Sequence, residues 1–126
     1  MYARRYAQAQ SETASPARRM VLLFEAALRH IRAAATALEA GRAADAAPSL
    51  SRATEIVAHL DATFDRARHP VLADSVGAVY RFTCQRLIAA SLRREPRLVR
   101  EAERVFAPVA EAFAAAVQQV GAGGSR

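Results

Sequence analysis

Four stretches of this sequence carry apolar residues at the spacing of a buried helix face, and proline or glycine stands near the ends of each stretch. In the first stretch the apolar positions recur every three to four residues from Met20 to Leu38, as they do on one side of an α-helix. β-branched residues are scattered and form no alternating run, so no strand pattern competes. The sequence therefore predicts an all-α fold.

Local capping chemistry marks the ends of the first predicted helix. Ser15 is a preferred N-cap residue, and Pro16 has a backbone angle that suits the first helical position. Gly41 suits the position just after a helix end. The helix-start motif is predicted to comprise Thr13, Ser15 and Pro16.

The remaining helices are predicted from the same kind of boundary. Asp45 is the expected N-cap of the second helix, which would place Pro48 in its first turn, where a missing N–H costs little. Leu72 is expected on the apolar face of the third helix. Pro108 is expected to kink or divide the fourth helix, because it removes a backbone hydrogen bond. The four predicted segments are 16–40, 45–67, 70–92 and 96–120.

Short connections between helices of similar length favour antiparallel neighbours. We therefore predict an up-down-up-down four-helix bundle over residues 16–120. A short N-terminal flap segment, residues 1–15, would precede the bundle, and a glycine-rich flexible tail, residues 121–126, would follow it.

Composition and motifs argue against an enzyme and against a membrane-inserted protein. The chain has a single cysteine, Cys84, which fits a reducing compartment. Neither the pair Glu55 and His59 nor the other histidines have the spacing of a metal site. We expect no catalytic residue, no metal and no cofactor. No apolar run is long enough to span a membrane and the N-terminus lacks the apolar core of a signal peptide, so a cytoplasmic protein is expected.

The positive charge leaves a second class of function open. The formal net charge is +6, and the chain contains arginine but no lysine. Acidic residues interrupt the densest basic region and no aromatic residue is interleaved for base stacking, so nucleic acid is an unlikely partner. The alternative function is nevertheless an Arg-rich helical module that binds nucleic acid or an acidic regulatory protein. Its basic region comprises Arg93, Arg94, Arg97, Arg100 and Arg104.

The junction from Thr13 to Pro16 and the blocks from Leu23 to Leu28 and from Val79 to Phe82 resemble those of the flagellar secretion chaperone FliS family. From Thr13 to Arg19 the chain reads Thr-Ala-Ser-Pro-Ala-Arg-Arg, where that family typically has Thr-Ala-Ser-Pro-Gly-Lys-Leu. The block from Leu23 to Leu28 is similar to the family's Leu-Tyr-Asp-Gly-Ala-Leu. Val79 to Phe82 and Ala112 to Phe113 have weaker counterparts. The chain departs from the family pattern where glycines are replaced by Ala17 and Ala26.

The resemblance implies a small helical bundle that binds the disordered C-terminal segment of flagellin in the cytoplasm. Such binding would prevent premature polymerisation and help deliver flagellin to export gate components. A diverged paralogue that has kept the bundle but lost this client is a further alternative.

Within this interpretation, residue roles follow as hypotheses. Tyr6 and Tyr2 would form an N-terminal flap that rests on the client-binding groove and covers apolar surface until a client displaces it. Each candidate groove residue has ordinary bundle core as its alternative role. The candidate groove residues are Leu23, Phe24, Leu28, Tyr80 and Leu87.

Overall fold

The structure is a computed structural model that describes residues 15–124, with side chains over residues 15–120. This part of the chain consists of four helices and contains no strand, which confirms the all-α prediction. The helices are α1 (Pro16–Glu39), α2 (Ala43–Thr63), α3 (Pro70–Arg93) and α4 (Pro96–Gly124).

The four helices form a closed ring in which each helix packs against two neighbours, in the order α1, α2, α3, α4 and back to α1. Salt bridges between α1 and α4 reveal their relative direction. Arg32 contacts Glu103 at 2.8 Å, and Glu39 contacts Arg100 at 2.6 Å. Residue numbers rise along α1 as they fall along α4, so these helices are antiparallel. The predicted up-down-up-down bundle is confirmed.

Both ends of α1 form through the predicted capping chemistry. The Ser15 hydroxyl accepts a hydrogen bond from the amide of Arg18 at 3.2 Å, and Pro16 occupies the first helical position. Gly41 has a φ of +74°, which glycine adopts without steric cost. Its amide bonds Leu38 O at 3.0 Å, and the next amide bonds Ala37 O at 2.8 Å. This paired bonding satisfies carbonyl groups at the end of α1.

The predicted start of α2 is wrong, because the turn that closes α1 leads directly into the next helix. The Arg42 carbonyl already accepts amides of Asp45 and Ala46 at 3.1 and 3.2 Å. Arg42 is therefore the N-cap residue, and Asp45 lies in the first turn. Pro48 consequently lies inside α2 rather than in its first turn. Because Pro48 is exposed, water can hydrate the carbonyl group that loses its helical hydrogen-bond partner.

The second helix also ends earlier than predicted, at Thr63. Phe64 has extended backbone angles, and the Asp65 carboxylate accepts the amide of Arg68 at 3.0 Å. Such a local side-chain bond offers the backbone an alternative to helical bonding. The connection to α3 therefore begins at Phe64, before the predicted helix end at residue 67.

The fourth helix is continuous through Pro108, so of the predicted kink or division the division is wrong. Only the carbonyl of Arg104 loses its helical partner, and both residues are exposed, which leaves that carbonyl open to water. Phe106 and Ala110, on either side, are buried and anchor the helix to the core. The helix also continues to Gly124, beyond the predicted boundary after Val120.

The core combines an aromatic cluster with aliphatic residues, among which alanine is the most frequent. The ring centroid of Phe24 lies 6.3 Å from Tyr80, 5.6 Å from Phe106 and 5.2 Å from Phe113. On α3 the expected core position of Leu72 is wrong. Its side chain is 53% exposed, and Ala73 is buried in its place. The buried residues of α3 are Ala73, Gly77, Tyr80, Thr83, Leu87 and Ala90.

Candidate functional site

The most exposed large apolar residues in the middle and C-terminal parts of α3 lie beside α2. Ile88 is 52% exposed and Leu92 is 80% exposed. With Leu50 of α2 and Leu87 of α3, they line a cleft of about 310 Å³ between the two helices. The cleft arises because α3 carries more large apolar residues than one helix face can bury.

Two further clefts extend this one in both directions. Towards the α2–α3 connection, a cleft of about 390 Å³ shares Ile88 and is also lined by Tyr80 and Cys84. Towards the other end, a cleft of about 230 Å³ shares Leu50 and Ser91. The three clefts form a continuous depression, which we call the α2–α3 groove. Between Arg81 and Leu92 it extends about 16 Å along α3, from the rise of an α-helix.

Two polar groups in the groove wall, the Tyr80 hydroxyl and the Cys84 thiol, are held in their neutral forms. Burial and the nearby Asp61 carboxylate together raise the pKa of Tyr80 to about 12. The same two causes raise the pKa of the Cys84 thiol above its ordinary value, which disfavours the nucleophilic thiolate. The Cys84 Sγ lies 4.0 Å from Thr54 O. Apart from charged side chains such as Asp61, Arg66 and Arg81, the groove therefore offers apolar surface and neutral polar groups, with no reactive thiolate.

The structure separates the predicted groove residues into two sets. Tyr80 and Leu87 are themselves buried but line the α2–α3 groove. Phe24 and Leu28 are buried in the core, and the half-buried Leu23 packs against it. These α1 residues line none of the three clefts.

The other predicted residues lie at the first described positions or before them. Ser15 and Pro16 begin α1, and Thr13, Tyr2 and Tyr6 lie outside the described residues.

Sequence reasoning missed Leu50, Ile88 and Leu92 as groove residues. One signal was available. Leu87, Ile88 and Leu92 cannot all point to the same side of a helix, because successive residues are separated by about 100°. Which of them stays exposed depends on the rotation of α3 against its neighbours.

The described residues contain neither a metal-binding group nor a membrane span. Over residues 15–120, no three His, Cys, Asp or Glu side chains converge as metal ligands. Glu55 forms a salt bridge with Arg52 at 3.4 Å. None of the four helices, as far as the structure describes them, is long and apolar enough to cross a membrane.

Two arginines of the predicted basic region already have carboxylate partners. Arg97 forms salt bridges with Glu95 at 3.0 Å and with Glu101 at 2.9 Å. Arg100 reaches across to Glu39 of α1 at 2.6 Å. A nucleic-acid phosphate would have to displace these carboxylates, so this surface is poorly suited to phosphate binding.

An antiparallel helical bundle with an open apolar groove defines a helical binding protein. The sequence model of the family described as "Flagellar protein FliS" matches residues 1–120. The chain is also 28% identical over 113 residues to the flagellar secretion chaperone FliS of Bacillus subtilis (strain 168), covering 90% of this chain and 84% of that protein. The chain therefore belongs to the FliS family, a family of flagellar export chaperones and not of enzymes.

Proposed function

We propose that this chain is a cytoplasmic export chaperone that binds the C-terminal segment of flagellin. Binding would keep flagellin from polymerising before export and would present it to components of the export apparatus. Family membership supports the class of function. The observation that carries the proposal is the α2–α3 groove, with Ile88 and Leu92 exposed along it.

The groove suits an amphipathic helix supplied by a partner that is disordered when free. Such a helix places apolar residues at i, i+3 or i+4, and i+7 into a groove between two helices. The partner loses conformational entropy when it orders. Burial of its anchors against Leu50, Ile88 and Leu92 is the compensating gain.

The sequence-derived residue roles enter this proposal in modified form. Tyr80 and Leu87 contribute to the groove wall, whereas Leu23, Phe24 and Leu28 support it from the core. We retain the N-terminal flap as a hypothesis, in which Tyr2 and Tyr6 cover the groove until the client displaces them. The apolar groove is the kind of surface that benefits from such a cover.

The groove is tested by calorimetric titration of the protein with a peptide of the C-terminal segment from its own organism's flagellin. Ile88→Glu places a charge in the groove, and we expect it to weaken binding at least tenfold, about 1.4 kcal/mol or more. Val71→Glu is the matched control, because Val71 is 87% exposed on the same helix but outside the clefts.

Three outcomes of this titration would be decisive. Tight binding with a negative heat-capacity change, lost in Ile88→Glu but kept in Val71→Glu, supports the groove. Equal loss in both variants would contradict it. No binding by the unaltered protein would contradict the function and favour the diverged paralogue. Removal of residues 1–12 tests the flap in the same assay, and unchanged affinity and apolar-dye binding would refute that hypothesis.

A further inference from the structure

Two arginine side chains from different elements converge at one end of the α2–α3 groove. Arg66 belongs to the connection after α2, and Arg81 lies on α3. A Cβ atom placed on Gly77 would lie 3.0 Å from Arg81 Nη1 and 3.2 Å from Arg66 Nη1. Both guanidinium groups therefore lie over the bare backbone of Gly77, close to each other.

This convergence depends on the direction of helical side chains and on the glycine. A long helical side chain leans back over the preceding turn, which brings Arg81 over the residue four positions earlier. Gly77 has no side chain to occupy that space. The glycine is buried although it sits beside the groove, because the two guanidinium groups cover it.

The charges at this place do not balance within the protein. Arg66 Nη2 bonds the Asp61 carboxylate at 2.8 Å. Over residues 15–120, Arg81 forms no salt bridge, and Asp61 is the only acidic residue that lines this cleft. Two guanidinium groups thus face one carboxylate. Because like charges so close repel each other, a second carboxylate would be attracted there.

We propose that Arg66 and Arg81 recognise an acidic side chain of the client segment that occupies the α2–α3 groove. This inference rests on the proposed function and names the partner's chemistry at one end of the same site. Asp61 positions Arg66, which leaves Nη1 of Arg66 and the guanidinium of Arg81 to donate to the client carboxylate.

The groove also determines the spacing that the client must have. Ile88 and Arg81 are two helical turns apart on α3, about 10.5 Å along its axis. A client helix lying along the groove therefore carries an apolar anchor at Ile88 and an Asp or Glu about seven residues away. Arginine suits this role because its planar fork binds a carboxylate with two parallel hydrogen bonds.

The first experiment removes the charge of Arg81 in the protein and, separately, the charge of each acidic residue in the peptide. The full-length chain carrying Arg81→Gln is titrated with the flagellin C-terminal peptide, and we expect affinity to fall about threefold to tenfold. The matched control is Arg104→Gln, an exposed arginine of α4 that lines none of the clefts. Acidic residues of the peptide are replaced by Asn or Gln one at a time.

A double-mutant cycle identifies the carboxylate. One acidic replacement should weaken binding to the unaltered protein but have little further effect on Arg81→Gln. Amidation of the peptide C-terminus should leave affinity unchanged, because the proposal assigns a side-chain carboxylate. The inference is overturned if amidation of the peptide C-terminus removes the whole coupling energy with Arg81. It is also overturned if no acidic replacement couples to Arg81.

Gly77→Ala separates recognition from folding. The added methyl group displaces the ends of the two arginines, while alanine favours the helix more than glycine does. We expect unchanged or higher thermal stability together with weaker binding of the peptide. If Ile88→Glu abolishes binding while Arg81→Gln and Gly77→Ala bind normally, the inference fails and the proposed function stands. If the unaltered protein does not bind the peptide, both fail.

Discussion

At the scale of single residues, Phe24 connects three helices of the bundle. Its ring contacts Tyr80 of α3 and both Phe106 and Phe113 of α4. Aromatic pairs at such separations add to the stabilisation that comes from burial alone. Nearly half of the other buried apolar residues are alanine, and the rest are valine, leucine and isoleucine. The three largest fully buried side chains, Tyr80, Phe24 and Phe106, all belong to this cluster.

We expect Phe24→Ala to lower the free energy of unfolding by about 3–5 kcal/mol, because a buried ring is replaced by a cavity. The measurement is urea denaturation followed by circular dichroism. Leu22→Ala, an exposed position on the same helix, is the control and should change stability by less than about 1 kcal/mol. A loss below 1 kcal/mol for Phe24→Ala would mean that the buried ring does not stabilise the core as its burial predicts.

At the scale of helices, α4 tolerates a proline that sequence rules predict to be disruptive. Pro108 is exposed, while buried residues on the same helix hold it against α1 and α3. Tertiary packing therefore keeps α4 continuous even though one backbone hydrogen bond is missing. Pro96, by contrast, begins the same helix, where a missing N–H has no consequence.

Replacing these two prolines should change stability in opposite directions. Pro108→Ala restores a backbone bond and removes a steric clash, which we expect to raise the free energy of unfolding by about 1–2 kcal/mol. Pro96→Ala only frees the unfolded chain and should lower it by about 0.4–1 kcal/mol. Thermal melting of both variants checks this. A lower melting temperature for Pro108→Ala would contradict the assigned cost.

At the scale of the whole molecule, a network of charges joins the first and last helices. Glu39 and Glu103 contact Arg100, and Glu103 also contacts Arg32. The hydrogen bond from Arg100 lowers the pKa of Glu39 below its ordinary value of 4.5. Burial would raise the pKa of Glu103, but hydrogen bonds from Arg32 and Arg100 outweigh it and the pKa is lowered.

Carboxylates with lowered pKa values make stability depend on pH. These carboxylates stabilise the folded protein when the pH is above their unfolded-state pKa of about 4.5. This stabilisation is lost as the pH falls through their folded-state pKa values. We therefore expect the free energy of unfolding to fall as the pH drops below about 4.5. Glu39→Gln should make that fall shallower, as followed by urea denaturation across this range.

The control for this pH dependence is Glu111→Gln. Glu111 is exposed on α4 and, over residues 15–120, forms no salt bridge. It should keep the pH dependence of the unaltered protein. If Glu39→Gln and Glu111→Gln have the same pH dependence, the network does not contribute through Glu39.

Local chemistry explains which parts of the fold were predictable. Capping by Ser15 and the turn at Gly41 depend on residues only a few positions apart, so both were confirmed. The predicted start of α2 was wrong, because the bonds of one turn also begin the next helix. The predicted division of α4 at Pro108 was wrong for a different reason, since packing against other helices compensates for the missing hydrogen bond.

The sequence by itself determined the number and class of the helices, because apolar spacing and capping act within a few turns of one chain segment. It also determined that α3 carries more apolar residues than one face can bury. Only the tertiary structure decided that Ile88 and Leu92 remain exposed, because packing turns Ala73, Tyr80 and Leu87 of α3 towards the core. The meeting of Arg66 and Arg81 likewise depends on how the α2–α3 connection lies beside α3.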